Sequence, residues 1–155
     1  MTTKNYKNKP LEILVVEDNP GDVKLFLNEF KEFEFIANFH VQTNGEEALK
    51  FLHKEGKYDS EPHPDLIVLD LKLPIKSGIE VLTDISEHRN LRETPVVIFS
   101  SLPLEKQIVK NCERIPYYIF IPKPADLDGY AEVVKTVEKF WFDCLGKIAP
   151  KTSLD

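Results

Sequence analysis

Several residue types and patterns that define particular classes of protein are scarce in this chain. Its 155 residues include two cysteines, and Cys112 and Cys144 belong to no Cys-x-x-Cys motif and no Cys/His cluster. The sequence therefore predicts two unpaired core thiols in a reducing compartment, not a disulfide framework or a zinc site. The longest apolar runs, such as Val96–Phe99, are far too short to cross a membrane. The polar Met1–Lys9 lacks the uninterrupted apolar core of a signal peptide behind it, so we expect no signal peptide.

A surplus of basic residues is also missing. The chain carries 20 Lys and Arg against 26 Asp and Glu, a net charge of -6. The acidic surplus argues against nucleic acid as a partner, because binding to a phosphate backbone requires a basic face. With 42% hydrophobic residues the chain can build one hydrophobic core. We therefore expect a cytoplasmic globular protein with neither nucleic-acid nor membrane contacts.

Five short β-rich runs alternate with amphipathic stretches along the chain. An almost wholly apolar run such as Glu12–Glu17 is typical of a parallel strand that is covered on both faces. Apolar residues at helical spacing follow each run. Because βαβ crossovers are right-handed, five such units predict an α/β fold with a doubly wound parallel sheet. The predicted strands are Glu12–Glu17, His40–Thr43, Leu66–Leu69, Val96–Phe99 and Tyr117–Ile121, and the predicted helices are Asp22–Phe33, a segment capped by Asn44, a segment through Val81, Leu104–Cys112 and Leu127–Leu145.

The pattern fits a single domain. No linker, internal repeat or low-complexity segment interrupts it. We expect an N-terminal tail at residues 1–10, the domain at residues 11–146, and a C-terminal tail at residues 147–155, with no output module attached.

Charged and hydroxyl side chains follow four of the predicted strands. Glu17 and Asp18 follow the first strand, Asp70 the third, Ser100 the fourth and Lys123 the fifth. In an open α/β sheet the working site lies at the carboxyl ends of the strands. Each residue alone has a plain structural interpretation, such as a solvated turn or a strand terminator. Together they predict one site.

This set of groups favours phosphoryl transfer. Three facing carboxylates repel one another, so such a site either has raised pKa values or binds a cation. An oxygen cluster without His or Cys selects Mg²⁺. Asp70, at the end of the central strand, is the candidate nucleophile. Lys123 would contact an oxygen of the transferring group, and Ser100 would donate a hydrogen bond to the product. His40, His53, His63 and His88 have no ligand spacing in the sequence, so we assign them structural roles.

Four short motifs in order resemble the receiver domain of two-component response regulators. They are ValValGluAspAsn at 15–19, Asp70 followed by Leu73-Pro74 and Gly78, Ser100 after a strand, and Lys123-Pro124. The resemblance spans Leu11–Leu145. The Glu61–Asp65 segment, the loop Lys72–Gly78 and GluLysPheTrp at 138–141 further resemble the phytochrome-associated response regulators of cyanobacteria and related bacteria.

The resemblance implies a flavodoxin-like (βα)5 sheet with strand order 2-1-3-4-5. It implies that Asp18, Asp70 and the backbone carbonyl of Lys72 bind Mg²⁺, with Glu17 acting through water. Ser100 matches the family's switch hydroxyl.

The resemblance also assigns roles near the fifth strand and at the surface. Phe120 matches the aromatic switch residue, which is often Tyr, and the Lys123–Pro124 bond matches one that is commonly cis. The implied activity is acceptance of a phosphoryl group on Asp70 from a sensor histidine kinase, with a phytochrome as the candidate sensor. The protein would hydrolyse its own phosphoryl group and would not be a turnover enzyme.

The apolar surplus predicts a partner surface formed by the predicted helix Leu104–Cys112, the fifth strand and the last helix. Its expected use is a homodimer, and the alternative is docking on the kinase or a downstream protein. The last helix carries more apolar residues than one buried stripe can hold. Those on the main stripe are Tyr130, Val134, Val137 and Trp141, and those outside it are Val133, Phe140, Phe142 and Cys144.

Three other functions remain open at this point. A phosphohydrolase of the haloacid dehalogenase type would carry a second Asp two residues after the nucleophile, where this chain has Lys72. A flavodoxin-like electron carrier needs a phosphate-binding loop after the first strand, and Glu17 and Asp18 would repel a phosphate. A degenerate receiver that acts as an unphosphorylated scaffold would share all the residues named.

Overall fold

The computed structural model describes residues 9–32, 36–101, 110 and 112–153. The predicted helix Leu104–Cys112 lies almost wholly outside these residues. The strands are β1 Leu11–Val16, β2 Ala37–Gln42, β3 Leu66–Leu69, β4 Val96–Ser100 and β5 Tyr118–Pro122. The helices are α1 Pro20–Glu29, α2 Gly45–Leu52, α3 Gly78–Glu87, the one-turn α4 Arg89–Arg92 and α5 Leu127–Ser153, with short 3₁₀ turns at Phe30–Glu32 and Gly56–Tyr58.

All five strands pair in parallel in the order β2-β1-β3-β4-β5. This confirms the predicted fold class and strand order. The three inner strands β1, β3 and β4 are buried on both faces, because alternate residues point into two separate cores, whereas the edge strands β2 and β5 are only partly buried. One core lies against α2 and α3 and includes Leu14 and Ile67. The other lies against α1 and α5 and includes Ile13 and Val68.

The helix starts are set by local hydrogen bonds. Asn19 caps α1 by accepting a hydrogen bond from the Asp22 N–H, and Pro20 occupies the first turn, so α1 begins at Pro20 and not at the predicted Asp22. Asn44 caps α2 as predicted. Ser77 and Glu80 form a reciprocal capping box at the start of α3.

The last helix differs from the prediction in two respects. It continues to Ser153, whereas the sequence predicted its end at Leu145. The expected apolar surplus is also smaller, because Val133 and Cys144 are buried and Phe140 and Phe142 are partly buried. The helix packs against both α1 and the sheet, so residues beside its main stripe also reach the core. No described helix is long and apolar enough to cross a membrane.

Two other sequence-based expectations have clear outcomes. Cys112 and Cys144 are free and buried, as predicted, and burial raises the pKa of each thiol to about 11. The described residues contain no cis peptide bond, so the expected cis Lys123–Pro124 bond is trans here. Trans is the lower-energy form of an X–Pro bond, by about 0.5–1 kcal/mol.

Gly78 lets α3 begin directly against the residue that the sequence marks as the nucleophile. A Cβ on Gly78 would overlap the carbonyl oxygen of Asp70 and lie 2.5 Å from Cα of Leu71. We expect Gly78→Ala to lower the free energy of unfolding by about 1–3 kcal/mol, as overpacking does. Gly146 in α5 has no atoms within 4 Å of its own hypothetical Cβ. Gly146→Ala should therefore raise the same quantity by about 1 kcal/mol through helix propensity. Urea denaturation of both variants measures these changes in the free energy of unfolding. Equal changes for the two substitutions would contradict the close approach at Gly78.

Candidate phosphoacceptor site

The strand register brings the first two acidic groups side by side. Val16 of β1 pairs with Leu69 of β3, and Glu17 and Asp70 are the next residues on each strand. The Asp70 N–H donates to the Val16 carbonyl at 3.0 Å, which continues the ladder one step past the strand end. Both side chains are about 5% exposed, so two carboxylates are buried at the carboxyl edge of the sheet.

The turn after β1 shapes the rest of the acidic group. Asp18 is exposed, whereas Glu17 turns inward and accepts a hydrogen bond from the Asn19 N–H at 3.2 Å. Carboxylate oxygens of Glu17, Asp18 and Asp70 lie within 4.8 Å of one another. This oxygen-only donor set fits a hard divalent cation such as Mg²⁺.

Lys123 lies at the centre of the site. Its N–H donates to the Ser100 carbonyl at 3.0 Å, which ties the segment after β5 to the end of β4. Its Nζ lies 2.6 Å from Glu17 Oε1, 2.9 Å from Asp22 Oδ2 and 3.0 Å from Asp70 Oδ2. One ammonium therefore bridges groups from β1, α1 and β3.

Burial and the contacts of Lys123 shift the pKa values of this cluster in opposite directions. Burial raises the pKa of Glu17 to about 7, with the Asp70 charge adding to the rise and the contact with Lys123 opposing it. Burial of Lys123 would lower its pKa, but hydrogen bonds to Glu17, Asp22 and Asp70 outweigh it and hold the pKa above its ordinary value. Lys123 is therefore fully cationic at neutral pH.

The remaining predicted site residues lie around this centre at different depths. Ser100 is fully buried as the last residue of β4. Phe120 is partly buried on β5 and packs against the α2–α3 core. The Lys72 N–H donates to Asp70 Oδ1 at 3.2 Å, which closes the turn after β3.

Two residues that the sequence analysis did not assign to the site belong to it. Asp22, in the first turn of α1, contacts Lys123, and the Tyr130 hydroxyl of α5 donates to Asp22 Oδ1 at 3.3 Å. Tyr130 was counted only as a core residue. An acidic residue in the first turn of a helix that starts at the working edge of the sheet is the signal that could have identified Asp22.

The loop between Asp70 and α3 holds a strained, exposed residue. Ile75 has φ of 67° and its side chain is 70% exposed. A β-branched residue with φ in this positive region is a true outlier. A hydrogen bond from the Lys76 N–H to the Pro74 carbonyl, at 2.8 Å, closes the turn around Ile75. An apolar side chain is thus held in solvent beside the acidic site at a conformational cost.

Comparison with known proteins is consistent with this geometry. The family model described as the response regulator receiver domain matches residues 13–144. The chain belongs to the receiver domain family. This receiver is 32% identical over 136 residues to the response regulator Rcp1 of Synechocystis, covering 88% of this chain and 92% of that protein. Membership in this family excludes the dehalogenase and flavodoxin alternatives.

Solved structures of phytochrome-associated regulators share the fold of this receiver. The crystal structure of the phosphorylated cyanobacterial phytochrome response regulator RcpA superposes with a TM-score of 0.78 at 32% identity, covering 86% of this chain and 95% of that one. The Mn²⁺-bound form of Rcp1 gives a TM-score of 0.76 at 31% identity, covering 85% of this chain and 94% of that one. The narrower resemblance to this group, expected from the loop and last-helix motifs, is confirmed.

Proposed function

We propose that this receiver accepts a phosphoryl group on Asp70 from a phosphohistidine of a sensor histidine kinase and signals through protein contacts. The observation that carries the proposal is the convergence of Glu17, Asp18, Asp70 and Lys123 at one sheet edge. The likeness to the response regulator Rcp1 extends over 92% of the length of that protein, which supports a role in phosphotransfer signalling. We expect it to act in the cytoplasm, where ATP phosphorylates the kinase.

The chemistry follows from the position of Asp70. One oxygen of its carboxylate attacks phosphorus, a P–O bond forms, and the P–N bond of the phosphohistidine breaks with its electron pair left on the imidazole. Lys123 Nζ already lies 3.0 Å from Asp70 Oδ2, close to where the added phosphoryl oxygens develop charge. Later attack by water on phosphorus breaks the P–O bond to Asp70, releases inorganic phosphate and returns the free carboxylate. The protein would thus act as a phosphoacceptor and not as a turnover enzyme.

A divalent metal completes the proposed site. Asp18, Asp70 and the Lys72 carbonyl would hold Mg²⁺, with Glu17 acting through water, and the donor oxygens present fit that ion. Bound Mg²⁺ would offset the negative charge of the transferring phosphoryl group. The Mn²⁺-bound structure of Rcp1 supports a divalent ion in the family.

Signalling would begin where the phosphoryl group meets the fourth and fifth strands. Phosphorylation adds nearly two negative charges. Ser100 and Lys123 would move to contact them, and Phe120, partly buried on β5, would follow. Phe120 has no hydroxyl, so this movement must act through packing. Ile75, exposed beside the site, supports docking of a partner protein with an apolar contact there.

The assignment of Asp70 has a direct test. Treatment with a small phosphodonor and Mg²⁺ should add a single phosphoryl group to the wild type and none to Asp70→Asn, because the variant lacks the attacking carboxylate. Asp59→Asn is the matched control, since Asp59 is exposed and outside the site. Intact mass spectrometry reads the result, with circular dichroism to verify folding. Labelling of Asp70→Asn at the wild-type level would refute the proposal.

Metal binding should appear as added stability. At a hundredfold excess over Kd, Mg²⁺ should stabilise the wild type by about 2.7 kcal/mol through linkage. Asp18→Asn should abolish most of this gain in stability. It should lower the stability of the metal-free protein only slightly, since Asp18 is exposed. Differential scanning fluorimetry with and without Mg²⁺ measures both, with Asp59→Asn as control. A wild-type Tm that does not respond to Mg²⁺ contradicts the metal site.

Homodimerisation through the last helix is also proposed, on a narrower basis than the sequence suggested. Its support is the resemblance to phytochrome-associated regulators, the partly buried Phe140 and Phe142, and Leu127, which is 65% exposed. We expect concentration-dependent dimers in sedimentation velocity, weakened by Phe140→Glu with Phe142→Glu. The control is Lys139→Glu, an exposed charge change on the same helix. A monomer at all concentrations, phosphorylated or not, would refute the dimer and leave the phosphoacceptor proposal intact.

A further inference from the structure

Two histidines and an aspartate meet at the end of the sheet opposite the acidic site. His53 caps the C-terminus of α2, and Asp84 and His88 lie one turn apart at the end of α3. His53 Nε2 is 2.7 Å from Asp84 Oδ1, and His88 Nδ1 is 3.3 Å from the same oxygen. The sequence analysis assigned these histidines structural roles because it considered spacing along the chain, and His53 is 31 residues from Asp84.

The backbone under this cluster is fixed by the core. Leu49 and Leu52 of α2 and Leu82 and Ile85 of α3 are buried in the same apolar cluster, so the two helices cannot slide past each other at low cost. Asp84 and His88 share a face of α3, because residues four apart on a helix are neighbours. The three donor atoms are therefore brought together by packing that is independent of any ligand.

The ligand atoms of this cluster favour a different metal ion from the one that the acidic site favours. Two imidazole nitrogens and one carboxylate oxygen are typical ligands of zinc and similar divalent transition ions, whereas Mg²⁺ prefers oxygen alone. The side chains are 22%, 27% and 44% exposed for His53, Asp84 and His88, so an ion can enter from solvent and water can complete its coordination.

We propose that His53, Asp84 and His88 form a binding site for a divalent transition-metal ion of the zinc class. Tetrahedral ligand atoms about 2.1 Å from zinc lie about 3.4 Å apart. The His88–Asp84 distance of 3.3 Å already matches this spacing, and the His53–Asp84 pair must open from its hydrogen-bonded 2.7 Å. Binding at His53 uses the neutral tautomer whose proton is on Nδ1, so the metal takes the place of the hydrogen bond between His53 Nε2 and Asp84.

One rearrangement accompanies binding at His88. Its Nδ1 also lies 2.8 Å from the Asp84 carbonyl, a contact in which Nδ1 carries the proton. The metal takes the Nδ1 lone pair once that proton has moved to Nε2, and His88 is the most exposed of the three side chains, so its ring is free to turn. His40 offers the natural comparison: it also contacts a carboxylate, that of Glu12, at 2.7 Å, but has no second imidazole.

The site is remote from the phosphoacceptor. Gly78 at the start of α3 abuts Asp70, and His88 follows the last residue of that helix. At 1.5 Å per residue this separates the two sites by roughly 15 Å. Each site can therefore be filled or removed without direct contact with the other.

The test is a Zn²⁺ titration of the full chain by isothermal calorimetry in Mg²⁺-saturated buffer, repeated in the Asp18→Asn background to disable the acidic site. We expect saturable binding of one Zn²⁺ in both proteins. His53→Gln and His88→Gln should each weaken it at least tenfold, and the matched His40→Gln should leave it unchanged. Loss of zinc binding in the Asp18→Asn background, or unchanged affinity in His53→Gln and His88→Gln, would overturn the proposal.

A second measurement does not depend on the variants folding. In the wild type, Zn²⁺ should shift the imidazole NMR resonances of His53 and His88 and leave those of His40 and His63 in place. Uniform shifts of all four histidines, or none, would overturn the proposal equally.

Discussion

The contact of one ammonium with three carboxylates is the interaction on which this site depends. Lys123 Nζ lies within 3.0 Å of oxygens from Glu17, Asp22 and Asp70. Two of these carboxylates are almost completely buried, and buried like charges at this spacing repel strongly. Lys123 compensates that repulsion and, because it follows β5, joins the fifth strand to the first and third. Any cation or phosphoryl group entering the site must share or replace these contacts.

The sheet topology makes this convergence unavoidable. Parallel strands end on one edge, and the order β2-β1-β3-β4-β5 puts β1 beside β3 and β4 beside β5. The ladder continues one residue past the strands, from the Asp70 N–H to Val16 and from the Lys123 N–H to Ser100. The polar groups are therefore positioned by backbone hydrogen bonds that the apolar strands require for their own burial.

Site residues whose positions depend on where the strands end were predicted from the sequence. Contacts that depend on how the helices face each other were missed. The bounds of β3 and the carboxylates after β1 and β3 follow from short apolar runs that stop at a charge. The place of Asp22 in the first turn of a helix at the working edge was the available signal, whereas its contact with Lys123 also depends on the orientation of α1, which the sequence pattern does not specify. The His53–Asp84 contact joins two helices, so spacing along the chain does not reveal it. The apolar surplus on α5 was overestimated because one periodic stripe was taken as the whole buried surface.

The stiffness around Asp70 bears on where a signal can travel under the proposed function. On one side, α3 abuts the Asp70 carbonyl at Gly78 with no space for a methyl group, and a capping box fixes the start of that helix. A closely packed contact of this kind has low compressibility, so it resists local movement of the Asp70 backbone. On the other side, Lys123 is held by side-chain hydrogen bonds that can exchange partners, and Phe120 is only partly buried. Under the proposed function, we therefore expect the added phosphoryl charge to displace groups of β4 and β5 more readily than α3, and we expect the readout at the face that those strands form.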